Sequence, residues 1–393
     1  MSINTDEQKI EELLTRGVEE VIQKDTLKEK LLSGKQLRVK LGIDPTSPDI
    51  HIGRAITLLK LRDFQELGHQ IVLIVGDFTG VIGDTSDKES ERPMLTKEEI
   101  EKNKETYKEQ VAKILDIDSV EFHYNSEWLS KLTYQEICEQ ADKFSIAEFI
   151  ARDNIKKRLD AGKRVSLRET LYPLLQGYDS VAIDADIEVG GTDQRFNLLA
   201  GRTLQQHYGK EPQDIIMGPL INGLDGRKMS SSWGNTITLN TKPNDMYGKV
   251  MSVADSEIST YLHVCTRIPL EEVQELQQQL EGDSNPRDIK MRLASEIVTL
   301  YHGVEAAQEA AQAFSDTFQQ GKIPDDVVEV EKPYIENSIE AGVVASKSEF
   351  RRLIEAGGVK DVDSGEKLSE IPEEIDSPQV IKIGKRRFIK LLP

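Results

Sequence analysis

Apolar and polar positions alternate with periods that predict an α/β fold for the first part of the chain. Apolar residues near the start are spaced for one face of a helix, which we expect to run to about Leu32. These residues are Ile10, Leu13, Leu14, Val18, Val21 and Ile22. A short apolar strand, Val39 to Ile43, leads through a turn into a helix from near Ile50 to Leu67, which Gly68 ends. The five apolar residues 71–75 then predict a strand buried on both faces. Strand, helix and strand in this order indicate a right-handed βαβ unit and a parallel sheet.

The middle of the chain continues this pattern and then becomes helical. Thr96 and Glu99 form a capping box that opens a helix to Leu115. A further strand, Ile187 to Val189, leads into two glycines and another helix. Between Asn244 and Phe318 the periodicity is that of helices throughout, including 289–301 and 304–318.

The last segment has its own pattern. The stretch 319–333 holds two prolines and alternates acids with valines, which is typical of a linker. Ser346 and Glu349 make a capping box, and Gly357 with Gly358 ends the helix that follows. Residues 380–392 are patterned as strand, turn and strand.

Composition narrows the class of protein. A length of 393 residues suits two or three domains. The net charge of −19 argues against a non-specific nucleic-acid coat, although residues 338–393 balance ten basic against ten acidic side chains. No apolar run approaches a membrane span and the start lacks a signal-peptide pattern. Cys138 and Cys265 exclude a disulfide framework and suit a reducing cytoplasm.

The first candidate site is the stretch from Asp44 to Arg54, where the first parallel strand gives way to a helix. Backbone N–H groups and the positive end of the helix dipole favour anions there, His51 adds a donor, and Gly53 permits close approach. The glycine fingerprint of dinucleotide-binding folds is absent, which argues against NAD. Taken alone, the pattern also fits a histidine at an ordinary helix start.

The second candidate site is the loop Gly226 to Ser232, which reads GRKMSSS. A glycine turn, a lysine and three hydroxyls form a loop suited to phosphate, although a polar surface loop has the same composition. Together the two stretches resemble the HIGH and KMSKS signatures of class I aminoacyl-tRNA synthetases.

Further stretches make the resemblance specific to the bacterial tyrosyl-tRNA synthetase family. They are GDTSDKESER at 83–92, YPLLQGYD at 172–179 and GGTDQ at 190–194. The stretch 346–359 is similar to an S4 RNA-binding domain, which that family carries at its end. The resemblance covers nearly the whole chain from about residue 35.

The resemblance implies an α/β architecture of three domains. A Rossmann-like parallel-sheet catalytic domain with an N-terminal helix and an inserted dimerisation segment would occupy 1–236. A helical anticodon-side domain over 237–320, a linker over 321–337 and a small α+β S4 domain over 338–393 would follow. It also implies a cytoplasmic homodimer that binds tRNA(Tyr), tyrosine and ATP with Mg²⁺, with no tightly bound cofactor and no metal site of its own.

Residue roles follow from the same resemblance. The expected catalytic residues are Thr46, His51, Lys88, Arg92 and Lys228. The expected ATP-binding residues are Asp44, Gly53, Thr57, Gly191, Asp193, Lys228, Ser230 and Ser231. The expected tyrosine-binding residues are Asp84, Asn125, Tyr172, Gln176, Asp179 and Gln194. The expected RNA-binding residues are Lys347, Arg351, Arg352, Lys385, Arg386 and Arg387.

One part of this assignment has a direct physical basis. Tyr172, Gln176 and Asp179 stand at i, i+4 and i+7, so they share one helix face and can converge on one ligand. A capped, solvated helix face is the alternative reading.

Three positions depart from the family pattern. Arg54 stands where the first signature usually ends in histidine and could add charge near phosphate. Ser231 stands where many synthetases have a second lysine. Lys40 stands where many members have a tyrosine that helps to bind the substrate phenol.

Three other functions are weighed against the tyrosyl family. They are a tryptophanyl enzyme of the same class, a synthetase-like RNA-binding protein without ligase activity, and a nucleotidyltransferase that adenylylates a small acid. The Tyr172, Gln176 and Asp179 set argues against the first, and the complete set of site residues argues against the second. A nucleotidyltransferase typically lacks an RNA-binding end.

Overall fold

The computed structural model describes residues 3–85, 94–282, 284–319, 327–362, 364–372, 375, 377–384 and 387–393. The strands are β1 (Glu20–Ile22), β2 (Arg38–Ile43), β3 (Gln70–Val75), β4 (Glu121–Tyr124), β5 (Ile187–Gly191), β6 (Asp214–Gly218), β7 (Val328–Val330), β8 (Val359–Asp361), β9 (Gln379–Ile383) and β10 (Arg387–Leu391). The helices are α1 (Glu7–Thr15), α2 (Lys24–Leu32), α3 (Ile52–Glu66), α4 (Thr79–Ile82), α5 (Lys97–Lys104), α6 (Tyr107–Ala112), α7 (Ser126–Leu129), α8 (Tyr134–Ala141), α9 (Ile146–Ile150), α10 (Asp153–Asp160), α11 (Leu167–Ala182), α12 (Arg195–His207), α13 (Pro243–Met251), α14 (Ile258–Val264), α15 (Leu270–Glu281), α16 (Pro286–His302), α17 (Val304–Gln319), α18 (Tyr334–Glu340) and α19 (Lys347–Glu355).

The chain divides into two compact units. The first comprises Met1–Lys242 and Lys249–Val304, and the second comprises Pro243–Gly248 and Glu305–Pro393. Within the described residues, no helix combines the length and the apolarity needed to cross a membrane.

A six-stranded sheet in the order β1-β6-β5-β2-β3-β4 organises the first unit. Strands β2 to β6 run parallel and β1 is an antiparallel edge. The register of β2 with β3, from Arg38 opposite Gln70 to Ile43 opposite Val75, confirms the predicted βαβ unit around α3. The chain builds outward in opposite directions from the adjacent strands β2 and β5. A crevice therefore opens at their carboxyl ends, which is where open α/β sheets bind ligands.

The start of the chain corrects one expectation, because no single helix runs to Leu32. Helix α1 buries Ile10, Leu13 and Leu14 as predicted but ends at Thr15, before Gly17 adopts a left-handed φ of 60°. Residues 20–22 then pair with β6 as β1. Half-buried valine and isoleucine at an edge strand have the same local spacing as a helix face, so the periodicity did not separate the two.

The predicted helix from Thr96 to Leu115 is present as two helices, α5 and α6, with the expected capping box at Thr96 and Glu99. At the break, the Tyr107 hydroxyl donates to the carbonyl of Ser47 at 2.7 Å. The Gln110 amide accepts from the backbone N–H of Ile50 at 2.8 Å and donates to the carbonyl of Pro48. The break therefore turns α6 so that it supports the loop after β2.

The helical stretch of the chain is shared between the two units. The helices predicted over 289–301 and 304–318 are present as α16 and α17, and the described residues of 244–318 contain helices and turns without a strand. The first unit ends at Val304. The proposed domain limits at 237 and 320 stay predictions.

The second unit contains a four-stranded sheet in the order β7-β10-β9-β8. Helix α19 packs Phe350, 1% exposed, into a core with the sheet. Strand β7 pairs in parallel with β10, and the Tyr334 hydroxyl donates to the carbonyl of Leu392. The stretch assigned to a linker thus contains a strand and the start of α18, both bound to the C-terminal sheet.

Candidate active site

One cavity at the carboxyl ends of β2 and β5 collects the predicted site residues. Those that line it are Asp44, Thr46, His51, Gly53, Thr57, Asp84, Asn125, Tyr172, Gln176, Asp179, Gly191, Asp193, Gln194, Lys228, Ser230 and Ser231. Lys88 and Arg92 lie outside the described residues. The roles assigned to these side chains stay predictions, whereas their common location is now established.

Helix α11 presents Tyr172, Gln176 and Asp179 on one face, as predicted, and hydrogen bonds to buried side chains fix its first turn. Ser166 caps the helix, and the Glu169 carboxylate accepts from the backbone N–H of Ser166. The buried Glu169 carboxylate also pairs with Arg158 and accepts from the Thr85 hydroxyl at 2.6 Å. Such anchoring fixes the rotation of α11, so Tyr172, Gln176 and Asp179 point into the cavity.

Asp179 lies at the buried end of the cavity and is 3% exposed. The indole Nε1 of Trp128 donates to one carboxylate oxygen at 2.7 Å, and the amide of Asn125 donates to the other at 3.2 Å. Burial raises the pKa of Asp179 to about 7, against the lowering effect of Lys40 and of these two donors. Each carboxylate oxygen keeps a second lone pair, so the group can accept a further hydrogen bond from a ligand.

Asp44 follows β2 directly and forms the second fixed carboxylate. It accepts from the Tyr172 hydroxyl at 2.8 Å and from the Thr79 hydroxyl at 2.7 Å. A Cβ at Gly76 would lie 2.0 Å from its Oδ1, so only glycine permits this position of the carboxylate. Burial raises the pKa of Tyr172 well above its usual value, and Asp44 adds to that shift.

The first signature surrounds the start of α3. His51 is the N-cap, and its Nδ1 accepts from the backbone N–H of Arg54 at 3.3 Å. Arg54 turns back and donates to the Thr46 hydroxyl at 3.0 Å and to the carbonyl of Asp44 at 3.3 Å. The arginine that replaces the usual histidine therefore lies on the loop expected to bind phosphate.

The second signature lines the same cavity. The ammonium of Lys228 contacts the carboxylate of Asp193 at 2.9 Å. The backbone N–H of Ser230 donates to the Asn235 side chain, which in turn donates to Asp225. Asn235 thus fixes the shape of the loop behind Lys228.

Two further predicted residues form a polar pair. The Gln194 amide donates to the carboxylate of Asp84 at 2.7 Å and accepts from the Asn197 amide at 2.9 Å. This arrangement fixes which end of the Gln194 side chain faces Asp84.

Several residues that shape the site carried no functional assignment from the sequence. The indole N–H of Trp128 donates directly to Asp179. Thr79 joins Asp44 to Asn125. Glu188 lies on β5 and pairs with Lys40 on β2, 2.9 Å apart. Charged residues in otherwise apolar parallel strands are the sequence signal that could have identified this last pair.

The predicted RNA-binding residues lie in the second unit. Lys347, Arg351 and Arg352 are exposed on α19. Arg387 donates to Glu349 at 2.9 Å and to the carbonyl of Val343 at 2.7 Å, so it also joins β10 to α19. Lys385 and Arg386 lie outside the described residues.

Known proteins with similar sequences and structures identify the class. A family model described as tRNA synthetases class I (W and Y) matches residues 32–319. A tyrosine–tRNA ligase of Moorella thermoacetica is 47% identical over 392 residues, covering 96% of this chain and 94% of that protein. Another from Carboxydothermus hydrogenoformans is 46% identical and covers 97% of both chains. A solved C-terminally truncated mitochondrial tyrosyl-tRNA synthetase of Coccidioides posadasii has a TM-score of 0.61 at 25% identity, covering 78% of this chain and 90% of that one.

The fold, the site and these matches define a class I aminoacyl-tRNA synthetase of the tryptophan and tyrosine group. Within that group the chain belongs to the tyrosine–tRNA ligases, because relatives of that activity match it over almost its full length. The predicted family, α/β fold and ATP-dependent ligase activity are therefore confirmed, and the tryptophanyl alternative is set aside.

Proposed function

We propose that the cavity at the carboxyl ends of β2 and β5 carries out both steps of tyrosine–tRNA ligation. In the first step the tyrosine carboxylate attacks the α-phosphorus of ATP, and the bond to the β-phosphate oxygen breaks to release pyrophosphate. In the second step a hydroxyl at the 3′ end of tRNA(Tyr) attacks the tyrosyl carbonyl and AMP leaves. Neither step needs a protein nucleophile, so the protein acts by positioning and by electrostatic stabilisation.

The proposal rests on which polar groups lie at each end of the cavity. Its buried end presents the carboxylate of Asp179 between two fixed donors, which suits the hydroxyl of a phenol. Nearer the strand ends, Asp84, Gln176 and Tyr172 supply acceptors suited to the tyrosine ammonium. Gln194 donates to Asp84, and we propose that it lies between the ammonium-binding residues and the nucleotide side of the cavity.

The other end of the cavity supplies the groups that ATP requires. Thr46 lies on the loop after β2, and His51 caps the start of α3, where backbone N–H groups favour phosphate. Lys228 brings a positive charge to the leaving pyrophosphate, and Asp193 can accept from the ribose hydroxyls. Asp44, Gly53, Thr57, Gly191, Ser230 and Ser231 complete the ATP side. Lys88 and Arg92 are proposed as further phosphate contacts, and ATP enters as its Mg²⁺ complex.

The second unit is proposed to bind tRNA(Tyr) as an S4 domain. Support comes from the exposed cations of α19 above a small mixed sheet, in a chain that is otherwise acidic. Contacts of Lys347, Arg351, Arg352, Lys385, Arg386 and Arg387 with phosphates would make the affinity fall with salt.

A homodimer and a cytoplasmic location complete the proposal. Tyr134, Ile146 and Leu167 are the three most exposed large apolar side chains among the described residues, at 87%, 60% and 77%. Exposed apolar groups in one stretch of the chain favour a protein partner, and a second copy fits the family. Both cysteines are free thiols, which suits a reducing compartment.

Amino-acid-dependent exchange of pyrophosphate into ATP tests the proposal. Each of the twenty amino acids is supplied in turn, and we expect exchange with tyrosine alone. A matched pair of variants tests the cavity: Asp179→Ala is expected to weaken tyrosine binding, whereas Lys9→Ala, at an exposed position of α1, should behave as the native protein. Exchange with another amino acid, or native tyrosine binding by Asp179→Ala, would contradict the assignment.

A further inference from the structure

A largely buried polar cluster adjoins the buried end of the cavity. We call Lys40, Glu188, Ser180, Gln176 and Gln213 the Lys40 cluster. The Lys40 ammonium contacts the Glu188 carboxylate at 2.9 Å and donates to the Ser180 hydroxyl at 2.8 Å and to the carbonyl of Gln176 at 3.1 Å. Glu188 also accepts from the side chains of Gln176, Ser180 and Gln213. The side chains of Lys40 and Glu188 are 0% and 1% exposed.

The fold by itself gives little reason for charges at this place. Lys40 interrupts the apolar residues of a parallel strand, where an aliphatic side chain would pack on both faces. Removing two charges from water costs several kcal/mol per ion, roughly, and a buried pair often contributes no more stability than apolar residues of the same volume. The charges therefore call for a functional explanation.

The cluster adjoins Asp179 through helix α11. Ser180 is its neighbour in sequence, and Gln176 lies one turn earlier on the cavity face. The groups that face Asp179 are the donors Trp128 and Asn125 together with Lys40 on β2, Glu188 on β5 and Tyr172 on α11.

Among these groups, Lys40 most strongly opposes the rise in the pKa of Asp179 that burial causes. Burial raises the pKa of Asp179, Lys40 lowers it more than either donor does, and Glu188 raises it by less than Lys40 lowers it. Lys40 therefore offsets part of the effect of burial, and the pKa of Asp179 is about 7.

We propose that Lys40 is a specificity-determining positioning residue, whose buried ammonium places a positive charge behind Asp179 and holds the Gln176–Ser180 turn of α11 in place. This inference rests on the proposed role of Asp179 as the partner of the tyrosine phenol. An ionised carboxylate accepts strongly from a phenol O–H. With phenylalanine the same carboxylate would stay buried without that partner, which is costly. A neutral carboxylic acid would discriminate less between the two amino acids.

The pH dependence of kcat/KM for tyrosine in the exchange assay tests this role. The variants are Lys40→Met and the double variant K40M/E188Q, which removes both charges and leaves no unpaired ion. We expect the midpoint of the acid limb to move to higher pH in both variants. At pH 7 the KM for tyrosine should rise roughly tenfold while the KM for ATP changes little, and discrimination against phenylalanine should fall.

Lys60→Met is the matched control. Lys60 is also buried, 4% exposed, and pairs with Asp63 at 2.9 Å, but it lies on α3 and donates to Leu13. We expect a loss of stability with an unchanged pH midpoint and unchanged discrimination.

The outcomes separate this inference from the proposed function. Absence of tyrosine-dependent exchange in the native protein would overturn the proposed function itself. Native exchange together with an unshifted midpoint in K40M/E188Q would overturn the role of Lys40 alone. If Lys40→Met does not fold, the charge-neutral double variant decides the question. A midpoint shift in Lys60→Met equal to that in the Lys40 variants would likewise contradict the inference.

Discussion

At the scale of single residues, the Asp179 carboxylate that is proposed to select tyrosine also makes the stability of the fold depend on pH. Its carboxylate is buried, and its pKa is raised from 3.8 to about 7. The folded protein therefore holds this proton up to about pH 7, whereas an unfolded aspartate loses it near pH 4. Because the folded state binds more protons in that interval, the stability contributed by this group is lost as the pH rises through about 7.

Asp179→Asn is expected to separate the two effects. The amide cannot ionise, so the melting temperature at pH 8 should rise above that of the native protein, whereas the difference at pH 4 should be small. The KM for tyrosine should increase at pH 8, because the charged acceptor is gone, and should change less at pH 4, where the native carboxyl is already protonated. Calorimetry at the two pH values checks the first expectation, and pyrophosphate exchange checks the second. An equal change in melting temperature at pH 4 and pH 8 would mean that burial does not disfavour the ionised carboxylate.

At the scale of elements, the close crossing of α11 and α12 positions the residues at the tyrosine end of the cavity. The two helices approach at Gly177, where a Cβ would lie 3.0 Å from the backbone carbon of Ala200 and 3.1 Å from the backbone nitrogen of Gly201. Backbone atoms cannot rotate aside as a side chain can. The glycine therefore allows α11 to lie close enough for its polar face to reach the cavity.

Gly177→Ala should push the two helices apart. We expect the free energy of unfolding to fall by about 1–3 kcal/mol and the KM for tyrosine to rise, because Gln176 and Asp179 move with the helix. Gly248→Ala is the control, since a Cβ at that helical position meets no atom within 4 Å. That variant should gain about 0.5–1 kcal/mol from helix propensity. Urea denaturation measures both, and equal effects in the two variants would contradict the role given to the crossing.

At the scale of the whole molecule, the site and the C-terminal sheet belong to different compact units. The described residues that line the cavity all fall within the first unit. The C-terminal sheet begins with β7, well before residue 338. A cut at 338 would leave β7 without β10 and would divide α18. A cut after Gln319 would remove β7, α18 and β10 together. It would leave the packing of Tyr247 against Phe314 intact.

A chain that ends at Gln319 is expected to keep tyrosine-dependent pyrophosphate exchange within about twofold and to lose most tRNA charging. The physical reason is that adenylate formation needs only the cavity, whereas charging needs the phosphate contacts proposed for the second unit. Exchange and charging are measured on the same preparation, with a chain ending at Asn337 as the comparison. Full charging by the shorter chain would exclude an RNA-binding role for the C-terminal sheet, and loss of exchange would show that the sheet supports the cavity.

The sequence determined the elements whose signals are local. Five consecutive apolar residues defined β3, the caps Thr96 and Ser346 marked the starts of α5 and α19, and the i, i+4, i+7 spacing brought Tyr172, Gln176 and Asp179 to one face. The two signatures and the stretches between them indicated the family before any geometry was known. Such features need only neighbours within about two helical turns, so periodicity and capping chemistry report them directly.

Only the tertiary structure decided which distant residues meet. The Tyr172 hydroxyl contacts Asp44 across 128 positions of the chain, and Lys40 meets Ser180 across 140. These contacts depend on which strands are adjacent and on how closely α11 approaches α12. Local periodicity contains neither, and for the same reason it placed β1 in a helix and β7 in a linker. The local pattern thus fixed which residues could take part in the chemistry, and strand order and helix crossing decided which of them share the cavity and where the buried charge lies.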